Sequence, residues 1–295
     1  MFLHYEIKIT QSMRRVFYII LVIVTISLTI LLANKVVQPK NILEKHDDWS
    51  LVWSDEFNGE IINRNNWNNQ IERAGRFNDE WQRYTDSEKN AFIDDGKLVI
   101  NAIHVGKEHG MNKYTSARLN TANKKTWRYG KIEARIKLPE GNGLWPAFWM
   151  LGSNIDENGG DTSWPETGEI DIIELYGSKS PSVVEANIHY SDKNNKHKMM
   201  GAVKYELTTG DFSNSYNNFS IEWNKESINW FVNNEQYASV SIIGPEFTEF
   251  HKDFFILFNV AVGGKYAGRP DESTIFPQKM YVDWVRVYQK STLLD

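Results

Sequence analysis

The 295-residue chain contains no cysteine. Disulfides and thiolate metal sites are therefore excluded, and an oxidising compartment would carry no risk of mispaired thiols. A patch of one charge sign is also missing. The net charge is -5, and the lysines and arginines are scattered rather than gathered in a stripe. Such a chain lacks the electrostatic footprint of a nucleic-acid partner. Between residues 49 and 290 no Pro/Gly/Ser-rich break and no repeat interrupts the sequence, so this stretch reads as one domain. Helical period is scarce within it.

A long uncharged run occurs at residues 16–33, VFYIILVIVTISLTILLA, after Lys8, Arg14 and Arg15. Its eighteen residues just suffice to span a bilayer as a helix. The run shows no polar face, unlike a buried amphipathic helix. The expectation is a transmembrane signal-anchor, with an ordinary cleaved signal peptide as the alternative. Residues 1–15 would form a short cytoplasmic segment and 34–48 a polar linker. The preceding basic residues place the domain outside the cytoplasm, anchored to the membrane or secreted.

What the domain does have is β pattern and aromatic mass. Residues 131–138 alternate apolar and charged side chains, the period of a strand with one wet face. Residues 227–232 and 235–240 flank Asn233-Asn234 and predict a hairpin with a tight primed turn. Residues 97–103, 254–262 and 279–288 add further strands, so the fold class is all-β, an antiparallel sandwich or barrel. Aromatic residues make up 13% of the chain, with 11 tryptophans. Strands favour them, and their flat faces also suit sugar rings.

The densest chemistry lies in Glu169-Ile170-Asp171-Ile172-Ile173-Glu174. Alternation puts Glu169 and Asp171 on one face and the isoleucines on the other, but would turn Glu174 into the core. An unpaired carboxylate is very costly there. One extra residue, a β-bulge near Ile172-Ile173, restores the parity and brings all three acids together. Four strand steps then separate the glutamate Cα atoms by about 13 Å. Side chains leaning toward each other leave a carboxyl gap of about 5–6 Å, the retaining-glycosidase spacing rather than the ~6.5–9.5 Å of an inverting enzyme. Three surface acids on a solvated strand are the plain alternative. Three like charges with no adjacent cation must be compensated or used, because such crowding drives pKa values apart.

Seven blocks occur in order: WSDEF at 53–57, DGKLVI at 95–100, YTSAR at 114–118, WPAFWML at 145–151, WP with GEIDIIE at 164–174, NVAVGG at 259–264 and VDWVRVY at 282–288. Together they make the chain resemble family 16 of the glycoside hydrolases, within it the laminarinase-like endo-β-1,3-glucanases. The resemblance implies a β-jelly-roll sandwich with an open concave cleft and a retaining double displacement on β-1,3-linked glucan. It implies Glu169 as nucleophile, Glu174 as acid/base and Asp171 tuning Glu169. It also implies sugar contacts from Asn78, Glu80 and Arg118. Trp145, Trp149 and Trp164 are candidate stacking platforms, with core packing as the alternative. His189 is either a contact to the leaving-group sugar or a structural histidine, and Trp127 is a further donor-side candidate.

No cofactor is expected for the chemistry. The resemblance does imply a structural Ca²⁺ near Gly96 and Asp283, with Glu56 as an addition. A monomer acting on a polysaccharide is expected. Another β-linked substrate (agar, carrageenan, lichenan or mixed-linkage glucan), transglycosylation, and a non-catalytic membrane-tethered glucan-binding module remain the competing readings.

Overall fold

The alternating stretch at 131–138 forms the strand Gly130–Lys137, with Ile132, Ala134 and Ile136 buried in the core. The computed structural model describes residues 49–290. The segments expected at 1–15, 16–33 and 34–48 lie outside the described residues. Among the described residues no helix is long and apolar enough to cross a membrane.

Two sheets face each other as an all-β sandwich of the jelly-roll kind. The larger has ten strands, with Gly130–Lys137 and Gln278–Lys290 at its centre. It includes the expected hairpin, Ser227–Val232 with Glu235–Ser241. Asn233 and Asn234 both take positive φ at its turn, the conformation a primed turn demands. The smaller sheet has seven strands. From one edge they run His197–Glu206, Val183–Ser191, Glu169–Glu174, Leu144–Gly152, Phe254–Val262, Arg118–Asn120 and Asn68–Asn69. Both inner faces are apolar and meet in one core, which includes Trp67, Phe148, Phe219, Trp223, Trp230 and Phe258. Burying that surface drives the sheets together.

The acid strand contains the expected bulge. Against Val183–Ser191, Asp171 pairs with Asn187 and Glu174 with Glu185, so three steps on one strand match two on the other. Against Leu144–Gly152, Asp171 pairs with Trp149 and Ile173 with Phe148. Ile170, Ile172 and Ile173 all enter the core, while Glu169, Asp171 and Glu174 bond to groups of the outer face. The Asp171 carbonyl at the bulge accepts a hydrogen bond from Trp230 Nε1 at 2.8 Å, reaching across from the ten-stranded sheet. A buried carbonyl left out of the ladder needs such a partner.

Register carries the outer face across the whole sheet. Asp171 pairs with Trp149, Trp149 with Leu257, Leu257 with Asn120, and Asn120 with Asn68. Directly opposed residues share a face. One row therefore runs from the acid strand to the far edge.

Candidate active site

The two glutamates sit in different surroundings. Glu174 is almost fully buried and accepts three hydrogen bonds, from Trp145 Nε1 at 2.8 Å, the Tyr176 hydroxyl at 2.8 Å and Asn187 Nδ2 at 2.9 Å. Asn187 is held in turn, because its Oδ1 accepts the Ala202 N–H at 2.8 Å. Glu169 is more open and accepts Trp164 Nε1 at 3.0 Å. His189 faces Glu169 directly across the strand pair. Its Nε2 lies 3.3 Å from Asp171 Oδ2 and 3.9 Å from Glu169 Oε1.

Burial and crowding shift the titration of the whole cluster. Desolvation, then the neighbouring Glu169 charge, pushes Asp171 well above the usual carboxylate range. Desolvation and then the Asp171 charge push Glu174 up as well. Desolvation also raises Glu169, opposed by the His189 charge and the Trp164 hydrogen bond. Burial alone would lower His189, but its hydrogen bond to Asp171 and the charges of all three acids raise it to about 9. His197 is lowered by burial and by the His189 charge. His189 Nδ1 and His197 Nε2 share a hydrogen bond at 2.8 Å, and the opposite shifts of the two rings favour His189 as its donor. Burial and the Asp171 charge favour the protonated form at Glu174, while the His189 charge and the Trp164 hydrogen bond favour the ionised form at Glu169. Those are the two states that general acid and nucleophile need.

Aromatic and polar groups extend the face. Trp164 is 44% exposed, with its ring 4.6 Å from that of His197. Trp145 is buried and has the exposed Tyr266 against its edge at 5.4 Å. Trp149 is buried too, and Arg118 lies over its ring at 4.6 Å and over Phe77 at 4.5 Å. Behind Trp149 runs a chain of donors. Trp149 Nε1 donates to Asn259 Oδ1 at 2.7 Å, Asn259 Nδ2 to the Tyr84 hydroxyl at 3.1 Å, and that hydroxyl to Glu80 Oε2 at 3.3 Å. Asn78 takes positive φ and also hydrogen-bonds Glu80.

The structure thus brings together Glu169, Asp171, Glu174, His189, Trp145 and Trp164, and sets Trp149, Arg118, Glu80 and Asn78 in one adjoining network. Trp127 is corrected. It is bridged to Phe254 and packs in the sandwich core, 4.9 Å from Trp53, so it is a core residue and not a cleft residue. Sequence reasoning missed Tyr176, Asn187 and His197. Tyr176 stands two residues past Glu174, and Asn187 alternates with His189, so strand parity was the available signal for both. His197 carries no such signal, because it lies opposite Ser191 on the neighbouring strand and reaches His189 only diagonally across the pair.

Both carboxylates expected to hold calcium are paired with guanidinium groups. Glu56 makes a two-pronged ion pair with Arg286 at 2.9 and 2.8 Å, and Asp283 pairs with Arg135. Gly96 occupies a hairpin turn with φ 67°. Two carboxylates already spent on guanidinium groups do not fit a hard ion that needs several free oxygens. Among the described residues, Glu169, Asp171 and His189 are the one group of acidic and histidine ligand atoms lying mutually within 4.8 Å. His189 there supplies positive charge to the acids.

A sandwich with two glutamates and an aspartate on a bulged strand defines a glycosidase-type site. The Glycosyl hydrolases family 16 profile matches residues 78–286, and the chain belongs to that family. It is similar to the clotting factor G alpha subunit of Tachypleus tridentatus, 37% identical over 83% of this chain, and spans 34% of that protein. It is also similar to a β-glucanase of Rhodothermus marinus, 36% identical over 83% of this chain and 87% of that one. Among solved structures, the catalytic domain of an endo-1,3-beta-glucanase (laminarinase) from Thermotoga petrophila RKU-1 superposes with a TM-score of 0.71. It is 41% identical and covers 82% of this chain and 98% of its own.

Proposed function

We propose that the domain is a retaining endo-glycosidase that hydrolyses internal β-1,3-glucosidic bonds of laminarin-type glucans. The observation that carries the mechanism is the bulge, which turns Glu174 out of the core onto the face of Glu169 and Asp171. The substrate reading is supported by the glucanase relatives.

In the first step Glu169 attacks the anomeric carbon while Glu174 protonates the leaving oxygen. The glycosidic bond breaks and a glycosyl ester forms on Glu169. In the second step Glu174, now ionised, takes a proton from water, which attacks the same carbon and releases Glu169. Two inversions leave net retention. Asp171, with its raised pKa, shares a proton with Glu169 and stabilises it as the leaving carboxylate of the second step. His189 holds positive charge beside both acids.

The uncharged run at 16–33 supports a further part of this reading, in which the domain works outside the cytoplasm, tethered or released.

The test is reducing-sugar release by residues 45–295 and by Glu169→Ala on laminarin, mixed-linkage glucan, agarose and carrageenan, with the anomer of the first product read by NMR. Laminarin cleavage with β product, lost in the variant, is the expected result. Cleavage of a galactan alone would discard the substrate, and an α product would discard the mechanism.

A further inference from the structure

Two strand bulges shape the surroundings of Glu174. The first, in its own strand, turns it onto the outer face. The second is in the edge strand His197–Glu206. There Asn187 pairs with Gly201 and Ala186 with Val203, so Ala202 is the extra residue. Gly201 takes φ 111° and Ala202 φ 50°. A Cβ at Gly201 would meet the Ala186 carbonyl oxygen at 2.7 Å, so the bulge requires glycine there. Left out of the ladder, the Ala202 N–H turns to the side chain of Asn187 and donates to its Oδ1 at 2.8 Å.

That bond fixes which way the amide points. A backbone N–H can only donate, so the Asn187 atom facing it is the carbonyl oxygen. The atom 2.9 Å from Glu174 Oε2 is then the amide nitrogen, and Asn187 is locked as a donor to Glu174. The Tyr176 hydroxyl donates to the same oxygen at 2.8 Å. Both lone pairs of Oε2 are thus taken. Oε1 accepts from Trp145 Nε1, and among the described residues nothing else bonds it, so one of its lone pairs stays free. A carboxyl proton needs such a lone pair.

We propose that Oε1 is the atom of Glu174 that carries and delivers the proton, and that Asn187 is the positioning residue that reserves it. The inference rests on the retaining-glycosidase reading and deepens it. As Glu169 bonds the anomeric carbon, the Oε1–H bond breaks and its proton passes to the glycosidic oxygen. That oxygen keeps the electron pair of the broken C–O bond. Negative charge develops on Glu174 as the proton leaves, and the Asn187 hydrogen bond to Oε2 strengthens with it. In the second step water returns a proton to Oε1. A donor on Oε2 makes Glu174 a better acid and a weaker base, so its loss slows the first step and spares the second.

The test compares kcat/KM of wild type, Asn187→Ala and Asn187→Asp on two substrates. One is the β-1,3-linked glucose tetramer, whose leaving sugar needs a proton. The other is the dinitrophenyl glycoside of the β-1,3-linked glucose disaccharide, whose leaving group departs without one. Asn187→Ala is expected to lose about tenfold on the tetramer, the scale of one hydrogen bond to a charged group, and less than about twofold on the dinitrophenyl glycoside. The basic limb of kcat/KM on the tetramer reports Glu174. It should move up by about one pH unit, because the ionised form has lost a donor. Asn187→Asp keeps the acceptor for Ala202 and the size of the side chain, so it tests the assignment where the alanine variant fails to fold. It should show the same selective loss with a larger upward move, since a second carboxylate then faces Glu174. Equal losses on both substrates, or an unmoved basic limb in both variants, overturn the assignment and leave the glycosidase reading intact. Wild type that cleaves neither substrate overturns both.

Discussion

Trp230 stands in one sheet and donates its indole N–H to the carbonyl oxygen of Asp171 in the other, at 2.8 Å. The bond crosses the sandwich at the residue where the acid strand leaves regular pairing. Trp230→Phe keeps most of the ring and removes the donor, so a buried carbonyl is left unpaired at a cost of about 1–3 kcal/mol. At about 2–4 °C per kcal/mol for a domain of this size, the melting temperature should fall by several degrees. kcat should fall with it, because Asp171 loses its anchor. An unchanged melting curve would show that the bulge holds itself.

Deletion of Ile173 tests the bulge directly. The strand becomes Glu-Ile-Asp-Ile-Glu, in which plain alternation keeps all three acids on one face without an extra residue, while one core isoleucine is lost. The expected outcome is a folded, less stable protein that keeps measurable activity, read by thermal melts and reducing-sugar release. A folded variant with no activity would mean that the bulge sets the spacing of the glutamates as well as their parity.

Asp171 is held among like charges, and the site is stabilised by protonation. A carboxyl whose pKa is raised on folding contributes stability that is lost as pH rises through that pKa. Asp171→Asn removes the titrating charge. It should raise the melting temperature by a few degrees at pH 8 and by much less at pH 5. kcat should fall about 10²-fold, the scale of a positioned acid–base group. Equal effects at both pH values would contradict the charge argument.

His189 should set the acid limb of the pH profile. Its positive charge favours ionised Glu169, so His189→Asn raises the pKa of the nucleophile and moves the acid limb of kcat/KM upward. Stability carries a second signature. With its pKa raised from 6.5 to about 9, His189 stabilises the fold fully below about pH 6.5 and loses that contribution as pH rises through about 9. The stability gap between wild type and variant should therefore narrow across that window. A constant gap in thermal melts would rule out charge as the cause.

Parity made much of this legible in sequence. The charge–apolar alternation at 131–138 fixes a face, and the misplaced parity of Glu174 requires a bulge. Asn233-Asn234 specifies a primed turn by the positive φ both residues tolerate. The rest depends on long-range register. Asn68–Asn69 and Gln82–Tyr84 are too short to show a period. Leu144–Gly152 is buried along its whole length and so shows no alternation. Trp127 and Trp164 are the same residue type with opposite fates, one in the core and one on the surface, and only the packing of their neighbours separates them. Likewise Glu56 and Asp283 read as free oxygen donors until Arg286 and Arg135, brought near by strand pairing, take them up.

The acid strand is the third of seven, with two strands on one side and four on the other. A glucan crossing the strands at this point would be cut off-centre on the sheet, so the sizes that accumulate in a digest are expected to report on where one strand sits in it.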